Sequence, residues 1–493
     1  MNNPVDVVVV GAGPVGLLLA IELGVGGADV LVLDRLAAPS TAIKGSSVGP
    51  LGAEALRRRN MGPALAEAED RAFAARGPAG ASMRTQALRS RGHFAALPLP
   101  AEPAREIERR MIWVDQQGIE AILSARAAAL GVEVRRGCEV TGFEQGDAGV
   151  TVRWTSPEGA DSVTCAWLAG CDGGRSVVRK MAGFDFPGAP ASVTMYQALL
   201  DLDHPERLPR GATRTQAGVV MNGPRPRWLA MHDYSGPPAD REAPVTREEI
   251  EAVLRRISGA DVRVTAIDQA NRFSDSARVV DSYRRDRVLL AGDAAHIHSP
   301  LGGQGLSLGL VDAANLGWKL AAVARGDKPE NWLDSYTAER RPVAQAVLAN
   351  TLAQIALSRQ DPQSLALREM FARLLGFEAV AEHIAGLTSG LATRYDLGSA
   401  RDEVGRLIGD RAIGGDGTSL FAAMGDGEGV LLDASSGGTA SEWAAGFAGV
   451  RCVRVNEGPS MLIRPDGCIA WAGEDAPGLA DALERWFAPR RRA

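Results

Sequence analysis

Close to the N-terminus the run Val7-Val8-Val9-Val10 passes straight into Gly11-Ala12-Gly13-Pro14-Val15-Gly16, and no other short segment constrains the fold as tightly. A β-branched apolar run of this kind reads as a buried parallel strand. Gly11 permits a tight turn, Gly13 lets backbone approach a pyrophosphate, and Gly16 lets the following helix pack on the strand. The helix continues through Leu17, Leu18, Leu19, Ala20, Ile21 and Leu23, and its N-terminus offers N–H groups and a positive dipole end to phosphate. A second apolar strand, Val30-Leu31-Val32-Leu33, ends at Asp34, with Arg35 next to it. A carboxylate at that point can accept hydrogen bonds from a ribose. Strand, turn, helix, strand and acid in this order predict a dinucleotide-binding α/β unit, with Gly11, Ala12, Gly13, Pro14, Val15 and Gly16 around the phosphates.

At 493 residues the chain exceeds the size at which one core stops growing, so two or three domains are expected. Hydrophobic residues make up 45% and charged residues 23%, ordinary proportions for a soluble globular enzyme. A net charge of -6 gives no basic surface for nucleic acid or anionic lipid. No stretch approaches the roughly eighteen uninterrupted apolar residues of a membrane helix. The first apolar segment is the strand into Gly11, so no signal peptide is read there. Five cysteines (138, 165, 171, 452 and 468) contain no Cys-x-x-Cys pair, and their odd count suits reduced thiols in cytoplasm.

Two further segments stand at the ends of apolar runs. Cys171-Asp172-Gly173-Gly174-Arg175-Ser176 follows Ala166-Trp167-Leu168-Ala169, and Gly292-Asp293-Ala294-Ala295-His296 follows Val288-Leu289-Leu290-Ala291. Ligands in open α/β sheets gather at such carboxyl ends. Ser176 is also placed to cap a helix. Beyond His298, Pro300-Leu301-Gly302-Gly303-Gln304-Gly305-Leu306-Ser307 leads into a long helix through Asp312, Asn315, Leu316 and Trp318. His296 and His298 invite a metal reading, but no third ligand stands nearby in sequence and no metal is expected.

The three segments together, in this order and at this spacing, resemble the FAD-dependent aromatic hydroxylases, the single-component class typified by para-hydroxybenzoate hydroxylase and phenol hydroxylase. Residues 170–176 and 183–188, Ala295-His296-Ile297-His298 and Leu462-Ile463-Arg464-Pro465-Asp466-Gly467 are most similar to the aromatic polyketide hydroxylases of angucycline and anthracycline pathways. The resemblance spans essentially the whole chain. It implies an α/β fold: a Rossmann-like FAD-binding domain, a mixed-sheet substrate domain and a C-terminal thioredoxin-like domain. The expected boundaries are 1–75, 100–180 and 270–350 for a discontinuous FAD-binding domain, and 76–99 with 181–269 for the substrate domain. Residues 351–413 form a helical segment or linker, and 414–493 the thioredoxin-like domain.

The same resemblance implies non-covalent FAD, with NADPH and O2 as co-substrates, and hydroxylation of a polycyclic aromatic substrate through a flavin C4a-hydroperoxide. It places Asp293 on the ribityl chain and Val140 beside the adenine. Gln116 comes just before the helix that completes the nucleotide domain. Gly303, Gly305, Leu306 and Ser307 fall at the pyrimidine end of the flavin, where a helix N-terminus suits a ring that becomes anionic on reduction. Asp172 meets the flavin and, with Arg179, the transient path of NADPH. The backbone carbonyl of Pro300 lies at the flavin–substrate junction, and no residue is assigned as catalytic base. Lys44 stands where the family usually has arginine, keeping the charge without the planar fork.

The remaining regions carry less information. Segments such as Gly218-Val219-Val220-Met221 and Trp228-Leu229-Ala230-Met231, with Pro-rich turns at 224–226 and 237–238, read as a sheet covering the flavin's reacting face. Tyr196 could touch substrate there, although a strand tyrosine is more often core. The C-terminal strands, with a Pro465-Asp466-Gly467 turn, lack Cys-x-x-Cys and are read as packing or oligomer structure. A Baeyer–Villiger or epoxidising enzyme, an antibiotic-inactivating hydroxylase and a non-catalytic flavin-binding partner all stay open, as does a homodimer.

Overall fold

The structure is a computed structural model that describes residues 5–42, 45–100, 109–146, 149–223, 227–238, 240, 243–413, 417–456, 458–474 and 476–490. Its frame is an eight-stranded sheet with five parallel strands. Strand β1 (Val5–Val10) pairs with β2 (Val30–Asp34), and β2 with β3 (Glu133–Arg136). On its other side β1 pairs with β4 (Gly159–Gly170), which pairs with β5 (Val288–Leu290). Val7, Val8 and Val9 are fully buried, as a strand covered on both faces requires. An antiparallel hairpin, Glu139–Gly146 and Gly149–Ser156, extends from β4.

Helix α1 (Pro14–Val25) packs on α2 (Gly305–Ala324), which in turn meets α3 (Asp334–Ser358). The first two approach closely, since a Cβ on Gly317 would lie 2.2 Å from the Glu22 side chain. The carboxyl ends of β1, β4 and β5 therefore meet the N-termini of α1 and α2 on one side of the sheet.

A second sheet has the strand order Gly211–Thr215, Gly218–Asn222, Trp228–Asp233, Thr194–Leu202, Val264–Ser274. Every ladder in it is antiparallel, so the mixed sheet expected from sequence is corrected. Its tight returns, such as Thr215 to Gly218, leave no room for the crossover that a parallel pair needs. One face packs Tyr196, Ala198 and Leu200 on helix Arg247–Ser258 through Ile250, Val253, Leu254 and Ile257. Tyr196 is thus core, and its hydroxyl donates to Glu249 at 2.7 Å. The opposite face brings Met195 and Phe273 onto Leu301 and Ile355.

The C-terminal sheet has the order Val450–Arg454, Gly429–Asp433, Ser460–Ile463, Ile469–Gly473, its first pair parallel and the others antiparallel. With helices Thr439–Ala444 and Ala476–Trp486 this is a thioredoxin-like arrangement. A buried ion cluster ties it to α2 and α3. The Arg464 guanidinium donates to both Glu339 oxygens at 2.8 and 2.7 Å, and Lys319 Nζ donates to Glu339 Oε2 at 3.0 Å. Asn315 Nδ2 donates to Asp466 at 2.9 Å. Burial pushes the Lys319 ammonium down to about 8, against the pull of Glu339. Among the described residues no helix is long and apolar enough to cross a membrane.

Candidate flavin site

The strand–turn–helix at the end of β1 leaves room for one kind of guest. A Cβ on Gly11 (φ +106) would lie 2.5 Å from the Cys171 carbonyl oxygen, and one on Gly16 would lie 1.9 Å from the Gly11 oxygen. A Cβ on Gly13 would meet nothing within 4 Å. The loop therefore packs tightly at Gly11 and Gly16 and opens at Gly13, beside a helix start that no side chain caps. Uncapped first-turn N–H groups there suit an anion. Ala12 and Pro14 are buried in the turn, and Val15 sits against Gly292, joining the first segment to the third.

Asp34 spends one lone pair of each oxygen on the protein, accepting from Ala12 N–H at 2.6 Å and Leu36 N–H at 2.7 Å. A carboxylate has about four such sites, which leaves room for ribose hydroxyls. Arg35 beside it is exposed. Cys138 N–H and Gly137 N–H bond the carbonyls of Asp34 and Leu36, and this sets the buried Val140 alongside. Gln116 is the first residue of helix Gln116–Ala129 and donates through its amide to Glu120 at 2.7 Å. Lys44 lies outside the described residues.

At the centre, Asp172 Oδ2 accepts from Val177 N–H at 2.6 Å and Val178 N–H at 3.2 Å, while Ser176 Oγ accepts from Arg179 N–H at 2.9 Å. Both side chains thus hold the start of helix Val177–Met181. The other oxygen, Asp172 Oδ1, is buried without a partner among the described residues, and burial raises this carboxyl above its ordinary range. The expectation for Arg179 needs correction. It is 5% exposed, donates to the Ala294 carbonyl at 3.0 Å and the Gly174 carbonyl at 2.9 Å, and lies 4.0 Å from the Phe186 ring centre. A guanidinium so placed clamps the second segment to the third, with little of its surface open to a passing cofactor.

The third segment makes a single short turn, Gly292–Ala294, that displays Asp293. Asp293 is exposed and, among the described residues, has no hydrogen-bond or ion-pair partner. Gly303 (φ +65) again has open space where a Cβ would stand, and its N–H donates to the Pro300 carbonyl at 3.1 Å. The Pro300 carbonyl therefore closes this turn on an exposed corner. No side chain caps the start of α2 at Gly305, and a Cβ there would lie 3.4 Å from His298 Nε2. His298 Nδ1 donates to the Ser299 carbonyl at 2.7 Å, and burial, helped by His296, lowers the affinity of this ring for a second proton. Leu306 is half-buried. The Ser307 hydroxyl accepts from Gly49 N–H at 2.7 Å, which ties the start of α2 to the Gly49 backbone.

Over the Pro300–Gly303 turn stands the second sheet, and it holds residues that the sequence did not single out. Cross-strand pairing aligns Arg214, Val219, His232, Met195 and Phe273 in one row on one face. Arg214 is half-buried and has no hydrogen-bond or ion-pair partner among the described residues. Its charge bears on His93, His232, Tyr234 and Arg368, which therefore surround a common space. Burial, with Arg214 adding to it, takes His232 down to about 4. Asp275, whose charge reaches His232, is already engaged by Ser192 N–H, Ser192 Oγ and Val193 N–H at 2.6, 2.6 and 2.8 Å. Strand alternation was the available signal for Arg214, but the register that aligns it with His232 was not in the sequence.

These features fit FAD. Two uncapped helix starts flank open space at Gly13 and Gly303, Asp293 is unpaired, and Asp172 Oδ1 and His296 Nδ1 are buried without partners. Residues 4–351 match the family described as FAD binding domain, and residues 402–489 that described as aromatic-ring hydroxylase, C-terminal. The 12-dehydrotetracycline 5-monooxygenase/anhydrotetracycline 6-monooxygenase of Streptomyces rimosus subsp. rimosus is 39% identical over 98% of this chain and 99% of its own. Among solved structures, the OxyS anhydrotetracycline hydroxylase from Streptomyces rimosus is 38% identical, with a TM-score of 0.88 over 99% of this chain and 100% of that one. CabE, an aromatic hydroxylase from angucycline biosynthesis, is 35% identical, with a TM-score of 0.86 over 99% of this chain and 100% of its own. The chain belongs to the FAD-dependent aromatic-ring hydroxylases.

Proposed function

We propose that this protein hydroxylates a polycyclic aromatic polyketide bearing an acidic phenolic or enolic oxygen, in the cytoplasm, with NADPH and O2. The observation that carries the substrate class is Arg214, without a partner among the described residues, in a row with His232 and Met195 whose Met195 end packs on Leu301 of the Pro300–Gly303 turn. Met195, Phe273, Leu301 and Ile355 give an extended ring system an apolar wall that keeps water from the reacting carbon. Arg214 supplies the charge that holds one acidic oxygen and so sets which ring edge faces the turn. His232, lowered to about 4, is neutral at pH 7 and adds a hydrogen bond rather than a second cation.

Bound FAD supplies the electron transfer from NADPH and the activation of O2. The N-terminus of α2 would stabilise negative charge at the pyrimidine end, Asp293 would hold the ribityl hydroxyls, and Gly13 with the start of α1 would hold the pyrophosphate. The outward leucines and Met370 of helices Pro362–Leu374 and Glu378–Ser389, with Phe377 between them, support a homodimer, which light scattering of the holoprotein checks.

Mass spectrometry of products from candidate polyketides, with NADPH and labelled O2, tests the reading. A single labelled hydroxyl is expected. Label inserted into a carbon–carbon bond would replace hydroxylation by Baeyer–Villiger chemistry, and an absence of both product and NADPH consumption would mark a flavin-binding partner.

A further inference from the structure

One carboxylate joins the two parts of the flavin site. Asp312 lies two turns into α2 and is 0% exposed. Its Oδ2 accepts from Gly292 N–H at 3.1 Å and from His296 Nε2 at 2.6 Å, so it grips both ends of the turn that displays Asp293. Its Oδ1 accepts from Arg340 Nε at 2.7 Å. Arg340 then donates to the Leu308 carbonyl in the first turns of α2 and to the Tyr395 hydroxyl, both at 3.1 Å. Burial would raise the Asp312 carboxyl, but the Arg340 charge and the hydrogen bonds from Arg340 and His296 overcome it and hold the group below the ordinary carboxylate range.

We propose that Asp312 is a positioning residue for the flavin, fixing the Asp293 turn against the start of α2 through His296, Gly292 and Arg340. The proposal rests on the reading that Asp293 and the α2 N-terminus hold FAD. Two features set Asp312 apart from an ordinary buried ion pair. It contacts backbone and side chain of the same ligand-facing turn, and His296, which it orients, carries a buried Nδ1 with no partner. Glu339, also buried, provides the contrast, because it joins α2 and α3 to the C-terminal module and bonds neither Gly292 nor His296.

The test compares full-length Asp312→Asn, Glu339→Gln and Asp293→Ala, reading the FAD dissociation constant by titration of apoprotein and the flavin midpoint potential of each holoprotein. Asp312→Asn is expected to weaken FAD by roughly tenfold or more and to move the potential positive, since a buried negative charge beside the ring's tether is lost. Glu339→Gln is expected to lower the thermal midpoint yet keep the FAD constant within about twofold, because it cuts no contact to the turn. That joint pattern supports the proposal, and any other pattern overturns it. Should Asp312→Asn fail to fold, His296→Gln is held to the FAD criterion, a loss of roughly tenfold or more, because it cuts the same contact to the turn without removing a negative charge. Wild-type FAD affinity in Asp293→Ala would instead bring down the flavin reading of the turn itself.

Discussion

Gly13 and Gly16 stand three residues apart and do opposite jobs. The space beside Gly16 is filled by the Gly11 carbonyl, and the space beside Gly13 is open. Gly16→Ala is therefore expected to lose folded protein. Gly13→Ala should keep the apoprotein's thermal midpoint while weakening FAD by roughly tenfold or more, read by melting and by FAD titration. The two aspartates divide in the same way. Asp293 has no hydrogen-bond or ion-pair partner among the described residues, so Asp293→Ala should cost ligand contact alone, on the order of ten- to hundredfold in FAD affinity. Asp172 holds the N–H groups of Val177 and Val178, so Asp172→Ala should cost stability, about 0.5–2 kcal/mol as for a lost helix cap, with less effect on flavin. Equal flavin loss in both variants would contradict this division. The glycines and acids were legible in the sequence because their roles follow from backbone chemistry. The role of Arg179 was not, because both its acceptors are main-chain carbonyls, which carry no sequence signature.

Among elements, the parallel sheet was legible from its apolar runs, and strands of the covering sheet from theirs, but the covering sheet's pairing was not. Period-two alternation marks which side chains share a face, but the hairpin registers decide that Arg214, His232 and Met195 form one row. That row gives a pH test. His232 is held near 4 against an ordinary 6.5. The unfolded chain then binds this proton more readily than the folded one, so stability is full above pH 6.5 and falls as the pH drops toward 4. His93 and His298 are lowered too and add to the same window. His232→Asn should therefore flatten, without abolishing, the fall in melting temperature between those values; an unchanged slope would remove His232 from the account. The C-terminal turn teaches a related lesson. Pro465-Asp466-Gly467 read as a hairpin turn, and Gly467 N–H does bond the Arg464 carbonyl at 2.8 Å. Turn chemistry gave no hint that Arg464 and Asp466 would be buried in an ion cluster with Glu339. Arg464→Ala takes the guanidinium from both Glu339 and Asp466, leaving Lys319 as the cation on Glu339, and is expected to cost about 3–5 kcal/mol, measured by denaturant unfolding.

For the whole molecule, the central inference is that the motif segments and the covering sheet enclose a single reaction space. The chain carries one dinucleotide fingerprint, and FAD takes it. NADPH must then bind transiently and meet a flavin whose surroundings permit movement, with the open space at Gly303 on one side. An enzyme built in this way gains by reducing its flavin only when the aromatic ring is in place, because activated oxygen formed without substrate is wasted. Stopped-flow measurement of flavin reduction by NADPH, with and without a polycyclic aromatic that the enzyme hydroxylates, tests this most directly. Reduction should be slow without the substrate and faster by orders of magnitude with it; equal rates in the two conditions would contradict the account.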